Sequence, residues 1–291
     1  MYKEFFRLRQ YPFQNTTDPS FFFEGEQHRE ALARMQYGIV EGKGLVLVTG
    51  KVGSGKTTLA KIFVNRLGPE WKVIFLDNPW LTAAEFLRYI YRALSGEGGE
   101  GDVPLSAIHE RLLALEEEGK RVLLVVDEAQ LLPLDTLQAI RLLYNLETPE
   151  RKLIQVLLLA QDEFMGMLQS SPLRAFKQRI SLFYHLGYLS LDETDAYIQH
   201  RLRVAGADPY LFPRHCVERI YQASQGCPRV INQICDDALL FAYGRNQARI
   251  IPEVVEEAIA KWREHENPER IVAPEPPPQG QPSRPAPPPQ E

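Results

Sequence analysis

The chain has 291 residues, 44% of them hydrophobic and 24% charged, which is typical of a globular protein with one large and one smaller domain. Its net charge of -5 disfavours a strongly basic nucleic-acid-binding protein, although a local basic face would be compatible with it. The three cysteines show neither disulfide-framework nor zinc-site spacing, and no apolar run reaches the roughly 20 residues of a membrane helix.

Short apolar runs separated by amphipathic helical patterns predict a parallel sheet packed between helices. The five predicted strands, the last with the weakest pattern, are Leu45–Thr49, Val73–Leu76, Val122–Val126, Ile154–Leu159 and Leu182–Leu186. The helices predicted between them are Thr58–Leu67, Ala83–Leu94, Ala107–Leu115 and Leu134–Leu146. The acidic, glycine-rich stretch at 95–102 predicts a mobile surface loop.

The strand pattern stops after Leu189, and a small all-helical lid is predicted from there. Its four predicted helices, of which the last three open with a proline in the first turn, are Asp192–Val204, Pro213–Ala223, Pro228–Tyr243 and Pro252–His265. We therefore expect an N-terminal segment plus nucleotide domain at 1–189 and a lid at 190–266. Ten of the 22 prolines fall in the last 24 residues. Segment 267–291 is accordingly predicted to be a disordered tail, serving as a spacer or as a ligand for a proline-recognising partner.

The sequence from Gly50 to Thr57 matches the phosphate-binding pattern GxxxxGK[ST] and lies between a predicted strand and a predicted helix. In this position, backbone N–H groups at a helix N-terminus can surround a phosphate. Lys56 is expected to reach the β- and γ-phosphates of ATP, and the Thr57 hydroxyl to bind Mg²⁺. The predicted nucleotide-binding residues are Gly50, Gly53, Ser54, Gly55, Lys56, Thr57, Thr58 and Arg229.

A second chemical signal is the apolar strand 122–126, which ends in two acidic residues. The carboxyl ends of parallel strands meet at one edge of the sheet, so both side chains should lie beside the phosphate loop. Asp127 is expected to bind Mg²⁺, directly or through its water. Glu128 is expected to act as the base that polarises the attacking water.

Three further residues are candidates for the catalytic site, each with a plainer alternative. Gln161, after the fourth strand, is expected to hold the lytic water or contact the γ-phosphate, unless it is only a polar strand-end residue. Arg229, in the first turn of a lid helix, is expected to cover the phosphates, or else is a surface charge. Arg179, before the fifth strand, is a candidate arginine finger for a neighbouring subunit, with a surface ion pair as the alternative and Arg174 as the rival finger.

Taken together, the motifs resemble the ExeA/GspA-like AAA+ ATPases, which include secretion- and exopolysaccharide-associated ATPases and are related to transposition ATPases. The resemblance covers roughly residues 1–265 through EFFRLRQYPF, TTDPSFFF, HREALARMQYGI, GKVGSGKTT, DEAQLL, RLLYNLET and GCPRVINQICDDAL. It implies an AAA+ α/β fold with a helical lid and activity in an oligomer, and it supports the roles given to Lys56, Thr57, Asp127, Glu128 and Arg229. It also favours Gln161 as the first sensor. Lys51 replaces a frequent acid and AQDEF replaces GQPEL, so the geometry near Gln161 departs from the family pattern.

These observations predict a cytoplasmic ATPase that binds Mg-ATP, forms a ring or filament and serves protein partners in a secretion or export machine, with recruitment to the inner membrane face by those partners. The alternative is a DNA-associated ATPase that regulates transposition. For that reading, the basic surface would be formed by Arg174, Lys177, Arg179, Arg201 and Arg203. A third possibility, an interaction switch with negligible turnover, is disfavoured by Glu128.

Overall fold

The structure of the chain is a computed structural model that describes residues 2–16, 18–77, 79–96 and 101–266. The predicted proline-rich tail lies outside the described residues, as does the centre of the predicted glycine-rich loop, at 97–100. Within the described residues, no helix is long and apolar enough to cross a membrane.

Five parallel strands form one sheet in the order β2–β3–β4–β1–β5. The strands are β1 (Leu45–Thr49), β2 (Trp71–Leu76), β3 (Arg121–Val126), β4 (Ile154–Ala160) and β5 (Ile180–His185). The predicted five-stranded parallel sheet is therefore confirmed. The ends of β1 and β3 lie on the two sides of β4, so the phosphate loop and the acidic strand end share one edge of the sheet.

The predicted bounds were least accurate for the two edge strands. β5 begins two residues earlier and ends one residue earlier than the apolar run indicated, and β2 begins two residues earlier. Both strands pair on one side only and leave alternate side chains partly exposed. In each edge strand a polar second residue, Lys72 in β2 and Ser181 in β5, interrupts the apolar run near its start, whereas the inner strands β1 and β4 are buried along their whole length.

Helices cover both faces of this sheet. In the nucleotide domain and the segment before it, the helices are α1 (Tyr2–Phe5), α2 (Glu26–Met35), α3 (Lys56–Asn65), α4 (Ala83–Ser95), α5 (Leu105–Glu117), α6 (Leu134–Tyr144), α7 (Glu163–Met167) and α8 (Arg174–Lys177). Alternate strand residues point to opposite faces. Leu45 and Leu47 of β1 accordingly pack with α4, α5 and α6, while Val46 and Val48 pack with α2 and α3.

The lid contains four helices around a separate apolar core. They are α9 (Leu191–Val204), α10 (Arg214–Ser224), α11 (Pro228–Gly244) and α12 (Pro252–Glu266). α9 begins with a capping box in which Ser190 and Glu193 satisfy each other's backbone N–H groups. The prediction that Pro213 occupies the first turn of its helix was wrong. Pro213 instead precedes α10 in an extended conformation, as the N-cap residue.

The N-terminal segment, residues 2–23, packs against the lid. Tyr2, Leu8, Phe13 and Phe21 are buried in the lid core. The Tyr2 hydroxyl donates a hydrogen bond to Asp236, and further contacts follow along the segment. The segment therefore reaches the nucleotide domain only after it has crossed the lid.

Candidate nucleotide site

The phosphate loop connects β1 to α3 at the carboxyl edge of the sheet. Gly53 and Gly55 adopt φ values of 77° and 96°, which side-chain-bearing residues rarely take. A Cβ atom on Gly53 would lie 2.9 Å from both the Arg229 Cβ and the Cys227 Sγ. The loop therefore needs glycine at this position both for its backbone shape and for its contact with the lid.

Lys56 opens α3 and is almost fully buried. Its ammonium group donates hydrogen bonds to the carbonyl oxygens of Gly50 (2.7 Å) and Lys51 (3.1 Å). Burial lowers the pKa of Lys56, while the charges of Glu128 and Asp127 oppose that change. The Ser54 hydroxyl in the same loop is buried and has no hydrogen-bond partner in the described part of the chain. A bound phosphate would supply acceptors for both groups, so the loop fits the triphosphate of ATP.

Thr57 and Asp127 meet next to this loop. The Thr57 hydroxyl donates a 2.7 Å hydrogen bond to the Asp127 Oδ2. Burial raises the pKa of Asp127, and the hydrogen bonds from Thr57 and from the Glu128 backbone partly offset that rise. Within the described residues, no cluster of three or more His, Cys, Asp or Glu side chains forms a complete metal cage. The hydroxyl and carboxylate fit Mg²⁺ coordination in which phosphate and water oxygens complete the shell.

The Glu128 carboxylate is held by two glutamines. Its Oε2 accepts hydrogen bonds from Gln130 Nε2 (2.6 Å) and Gln161 Nε2 (3.0 Å). The Gln161 backbone N–H donates a 3.0 Å hydrogen bond to Gln130 Oε1, so Glu128, Gln130 and Gln161 are each hydrogen-bonded to the other two. Glu128 itself has φ of 50°, a strained backbone conformation of the kind found at functional sites.

The surroundings of Glu128 keep its carboxylate ionised. Burial acts to raise its pKa, but the hydrogen bonds from Gln130 and Gln161 and the charges of Lys56 and Arg229 outweigh burial. The net effect is a lowered pKa. Sequence reasoning missed Gln130, although it stands in the DEAQ run immediately after the strand.

The three less certain candidates occupy different places. Gln161 contacts Glu128, as described above. Arg229, the second residue of α11, lines the cavity beside Gly53 and makes no hydrogen bond or ion pair to any part of the chain that the structure describes. Arg179 and Arg174 are exposed at the opposite edge of the sheet, before the start of β5. β5 has six residues of roughly 3.3 Å each, so Arg179, directly before its amino end, cannot reach the phosphate loop of its own subunit.

A cavity of about 340 Å³ continues from the phosphate loop into the space between the N-terminal segment and the lid. Outside the phosphate loop, the side chains that line the cavity include Asn15, Asp18, Phe21, Phe22, Phe23, His28, Leu189, Tyr197, Arg201 and Asn232. The cavity can hold a base and a sugar beyond the phosphates. Sequence reasoning noted TTDPSFFF and HREAL only as family motifs and assigned them no site role.

His28 is a further site residue that sequence reasoning missed. It is buried in the cavity wall with its ring 5.4 Å from the Phe22 ring, edge to face. Burial lowers its pKa, with the charges of Glu193 and Glu24 opposing the change, so the imidazole is neutral at neutral pH. Its Nδ1 has no partner among the described residues. The other ring nitrogen, Nε2, lies 3.9 Å from a Cβ atom built on Gly55, so His28 borders the phosphate loop.

The basic surface considered for DNA needs a correction. Arg201 is only 5% exposed and lies inside the lid, where its guanidinium faces the cavity wall. It cannot contribute to an external basic face. Arg174, Lys177, Arg179 and Arg203 are exposed.

Residues 39–168 match the family model described as an AAA domain. The chain carries the AAA domain of a P-loop ATPase. It is 39% identical to General secretion pathway protein A of Aeromonas hydrophila over 254 residues, which is 86% of this chain and 46% of that relative. The resemblance to ExeA/GspA-like ATPases is confirmed, and the chain spans about half the length of this relative.

Solved structures show the same fold at low sequence identity. The Aeropyrum pernix ORC2 protein in its ADPNP–ADP complexes matches with a TM-score of 0.66 and 20% identity over 88% of this chain and 72% of that protein. The Thermotoga maritima RuvB Holliday junction branch migration motor matches with a TM-score of 0.55 and 19% identity over 87% and 73% of the two chains. These likenesses confirm the predicted AAA-type P-loop fold.

Proposed function

We propose that this chain binds Mg-ATP and hydrolyses it, and that hydrolysis drives a conformational change in an oligomeric assembly linked to envelope secretion or surface-polymer export. The observation that carries the proposal is a single constellation at one edge of the sheet. It joins the buried Lys56 ammonium, the Thr57–Asp127 pair and the Glu128 carboxylate held by two glutamines. Each group matches one requirement of phosphoryl transfer to water.

The proposed roles follow from this geometry. Lys56 leaves the loop carbonyls to contact the β- and γ-phosphates, and the backbone N–H groups from Gly53 to Lys56 surround the phosphate chain. Thr57 and Asp127 hold Mg²⁺, whose chemistry is to neutralise charge on the phosphates. Glu128 accepts a proton from the attacking water, and Gln161 orients both that water and the carboxylate.

The charge that develops on the γ-phosphate in the transition state needs further neutralisation, and two arginines are proposed to supply it. Arg229 folds over the phosphates from the lid of the same subunit, because it already borders Gly53. Arg179 contacts the γ-phosphate of a neighbouring subunit in a ring or filament, since it cannot reach its own. Arg174, in α8, is the rival for the second role.

The link to secretion rests on the relative's name and on the 86% of this chain that it matches. We place the chain in the cytoplasm, recruited to the inner membrane face by protein partners of an export machine. Co-purification from cells of the source organism, with Glu128→Gln holding the ATP-bound state, is the direct search for those partners. Recovery of envelope-export components supports this placement. Recovery of a stable complex that contains other proteins and no export component contradicts it.

The first prediction separates ATP binding from ATP hydrolysis. Glu128→Gln preserves the shape of the side chain but removes the proton acceptor, so Mg-ATP should still bind while turnover falls by roughly 10²-fold or more. Steady-state phosphate release together with equilibrium binding of a fluorescent ATP analogue measures both quantities. Glu117→Gln is the matched control, because Glu117 is exposed on α5 and lies outside the cavity. Wild-type turnover in Glu128→Gln would exclude Glu128 as the base.

A further inference from the structure

Tyr188 contacts the phosphate loop from the segment that joins β5 to the lid. Its hydroxyl donates a 2.8 Å hydrogen bond to the carbonyl oxygen of Val52 in the loop. The Cys227 thiol, at the start of lid helix α11, approaches the same oxygen at 3.7 Å and is the weaker donor. Burial and the neighbouring thiol raise the pKa of Tyr188, so the phenol keeps its proton at neutral pH and remains a donor.

The backbone that carries Tyr188 is itself held from two sides. Gln27 of α2 accepts a 2.9 Å hydrogen bond from the Gly187 backbone N–H and donates to the Tyr188 carbonyl oxygen at 3.4 Å. The Leu189 backbone N–H donates to the Gly226 carbonyl oxygen of the lid at 3.0 Å. The Tyr188 side chain therefore extends from a backbone whose position is set by both α2 and the lid.

The Val52 carbonyl oxygen shares a peptide group with the Gly53 N–H. This peptide group is trans, so its C=O and N–H point in opposite directions. The described residues that line the cavity include Gly53 but neither Tyr188 nor Cys227. An oxygen turned towards Tyr188 and Cys227 therefore directs the Gly53 N–H towards the side where the phosphates are proposed to bind.

This peptide group needs a restraint of that kind. Gly53 has φ of 77°, and a glycine tolerates φ of either sign, so the group before it can flip at little cost. A flipped group would turn the Val52 oxygen into the cavity, where it would repel the phosphate oxygens. The Lys56 ammonium donates to the two preceding carbonyl oxygens of the loop. Restraint of the Val52 oxygen is left to Tyr188 and, more weakly, to Cys227.

We infer that Tyr188 is a positioning residue for the phosphate loop, and that its hydroxyl holds the Val52–Gly53 peptide group with the N–H towards the phosphates of the bound nucleotide. The inference rests on the proposed function, since it requires a polyphosphate at this loop. The N–H contacts the phosphates in the ground state and in the transition state alike. Tyr188 therefore acts on affinity more than on turnover at saturating ATP.

Tyr188→Phe tests this role with the smallest possible change. It removes the hydroxyl and keeps the ring, whose centroid lies 5.7 Å from the Lys51 ammonium. Tyr89→Phe is the matched control, because the Tyr89 hydroxyl also donates a 2.8 Å hydrogen bond to a backbone carbonyl oxygen, that of Phe75. Tyr89 lies on α4 and outside the cavity. Melting temperatures measure what the loss of such a hydrogen bond costs in stability in each variant.

The first measurement is the dissociation constant of Mg-ATP and of inorganic tripolyphosphate for each full-length protein by calorimetry. We expect both constants to rise by about 10-fold in Tyr188→Phe, because the loop then presents one oriented N–H less to the phosphates. Both should stay at the wild-type value in Tyr89→Phe. In steady-state assays of Tyr188→Phe, KM should rise with the dissociation constant, while kcat should fall by less than about 3-fold.

The second measurement observes the peptide group directly. The dipeptide Val-Gly occurs once in the sequence, at 52–53. Isotope labels on the valine carbonyl carbon and the glycine nitrogen therefore give a single correlation across this peptide bond in a triple-resonance NMR spectrum. In the wild type, tripolyphosphate should shift the amide proton downfield. In Tyr188→Phe, the carbonyl resonance should already differ without ligand, and the shift caused by tripolyphosphate should be smaller.

The outcomes separate this inference from the proposal on which it rests. Wild-type affinities in Tyr188→Phe, or the same loss in Tyr89→Phe, would overturn the inference and leave the phosphate site intact. A loss of ATP affinity without a loss of tripolyphosphate affinity would also overturn it, because Tyr188 would then act away from the phosphates. So would a Val-Gly resonance that tripolyphosphate does not shift in the wild type. If the wild type binds neither ATP nor tripolyphosphate, the proposed nucleotide site itself is wrong.

Discussion

Two adjacent carboxylates, Asp127 and Glu128, differ in how the fold treats their charge. Burial raises the pKa of Asp127, so its ionised form is unfavourable until a cation neutralises it. The pKa of Glu128 is lowered, because donated hydrogen bonds and nearby cations outweigh its burial. Asp127, whose charge is destabilised by burial, is suited to binding a metal cation. Glu128, whose charge is stabilised, is suited to accepting a proton in a fixed orientation.

The second prediction concerns Asp127→Asn. The raised pKa means that the protonated form stabilises the fold, so this contribution is complete at acidic pH and is lost as pH rises through the folded-state pKa. Asparagine mimics the protonated form at every pH. We therefore expect a higher melting temperature than wild type at neutral pH without Mg²⁺, a gain that disappears towards acidic pH, and turnover reduced roughly 10²-fold or more.

Thermal unfolding by circular dichroism at several pH values, with and without Mg²⁺ and ATP, checks this prediction. Asp135→Asn on the exposed start of α6 is the control for loss of a surface carboxylate. A lower melting temperature for Asp127→Asn at neutral pH would show that the Asp127 charge stabilises the fold by itself.

Linear spacing accounts for only part of the site at the level of residues. Lys56, Thr57, Asp127 and Glu128 could be predicted, because a short pattern and a strand end specify them and the parallel sheet brings both together. Gln130 and His28 could not. Their importance arises from one hydrogen bond to Glu128 and one unpartnered buried nitrogen, neither of which leaves a periodic signal in the sequence.

At the level of elements, the N-terminal segment has two tasks. Its aromatic and aliphatic side chains complete the lid core, and its later residues form the cavity wall. The segment is also hydrogen-bonded to the lid, through Asn15 to Asn232 and through the carbonyl oxygens of Pro12 and Gln14 to Arg201. The segment is therefore attached to the lid both by apolar packing and by hydrogen bonds.

The third prediction is that Phe13→Ala destabilises the protein by about 3–5 kcal/mol, because Phe13 is 2% exposed and packs edge to face against Phe212 of the lid. ATP affinity should fall as well, since the cavity wall depends on the same segment. Urea unfolding and ATP titration measure the two effects. Tyr11→Ala, at a half-buried neighbouring position, should cost less than Phe13→Ala. Equal or smaller destabilisation by Phe13→Ala would show that the segment is only loosely attached.

Strand prediction was good where both faces of a strand are covered and poor at the edges. β1 has the predicted bounds, because its five residues are all buried and read as one apolar run. β5 alternates, and only its pairing with β1 defines where it begins. The attachment of residues 2–23 to the lid could not be predicted from the sequence. The aromatic residues of this segment indicate that it is buried, but they do not indicate which part of the protein it packs against.

At the scale of the whole molecule, the sheet separates two surfaces with different chemistry. The carboxyl edge carries the phosphate loop, while Arg179 lies at the amino end of edge strand β5 and Arg174 lies in α8, which precedes that strand. An arginine on an exposed edge is available to another copy of the chain and unavailable to its own site. This arrangement supports the proposal that activity depends on assembly.

The fourth prediction tests that dependence. Arg179→Ala should bind ATP normally but hydrolyse it slowly, and turnover per wild-type subunit should rise with protein concentration. A mixture of Arg179→Ala with Glu128→Gln should regain part of the activity, because some subunit junctions then pair an intact Glu128 with an intact Arg179. Phosphate release across a mixing series measures this, with Arg174→Ala run in parallel. No recovery in mixtures that demonstrably co-assemble would mean that Arg179 does not act between subunits.

The most direct test of the central claim is the affinity of the chain for ATP with and without the Lys56 ammonium. Equilibrium titration of a fluorescent ATP analogue with Mg²⁺ should give saturable binding for the wild type and for Lys43→Ala, whose exposed side chain precedes the amino end of β1. Lys56→Ala should lose most of that affinity while staying folded, because it removes the ammonium group that we propose contacts the β- and γ-phosphates. Equal affinity in Lys56→Ala and wild type would contradict the assignment of this loop as the nucleotide site.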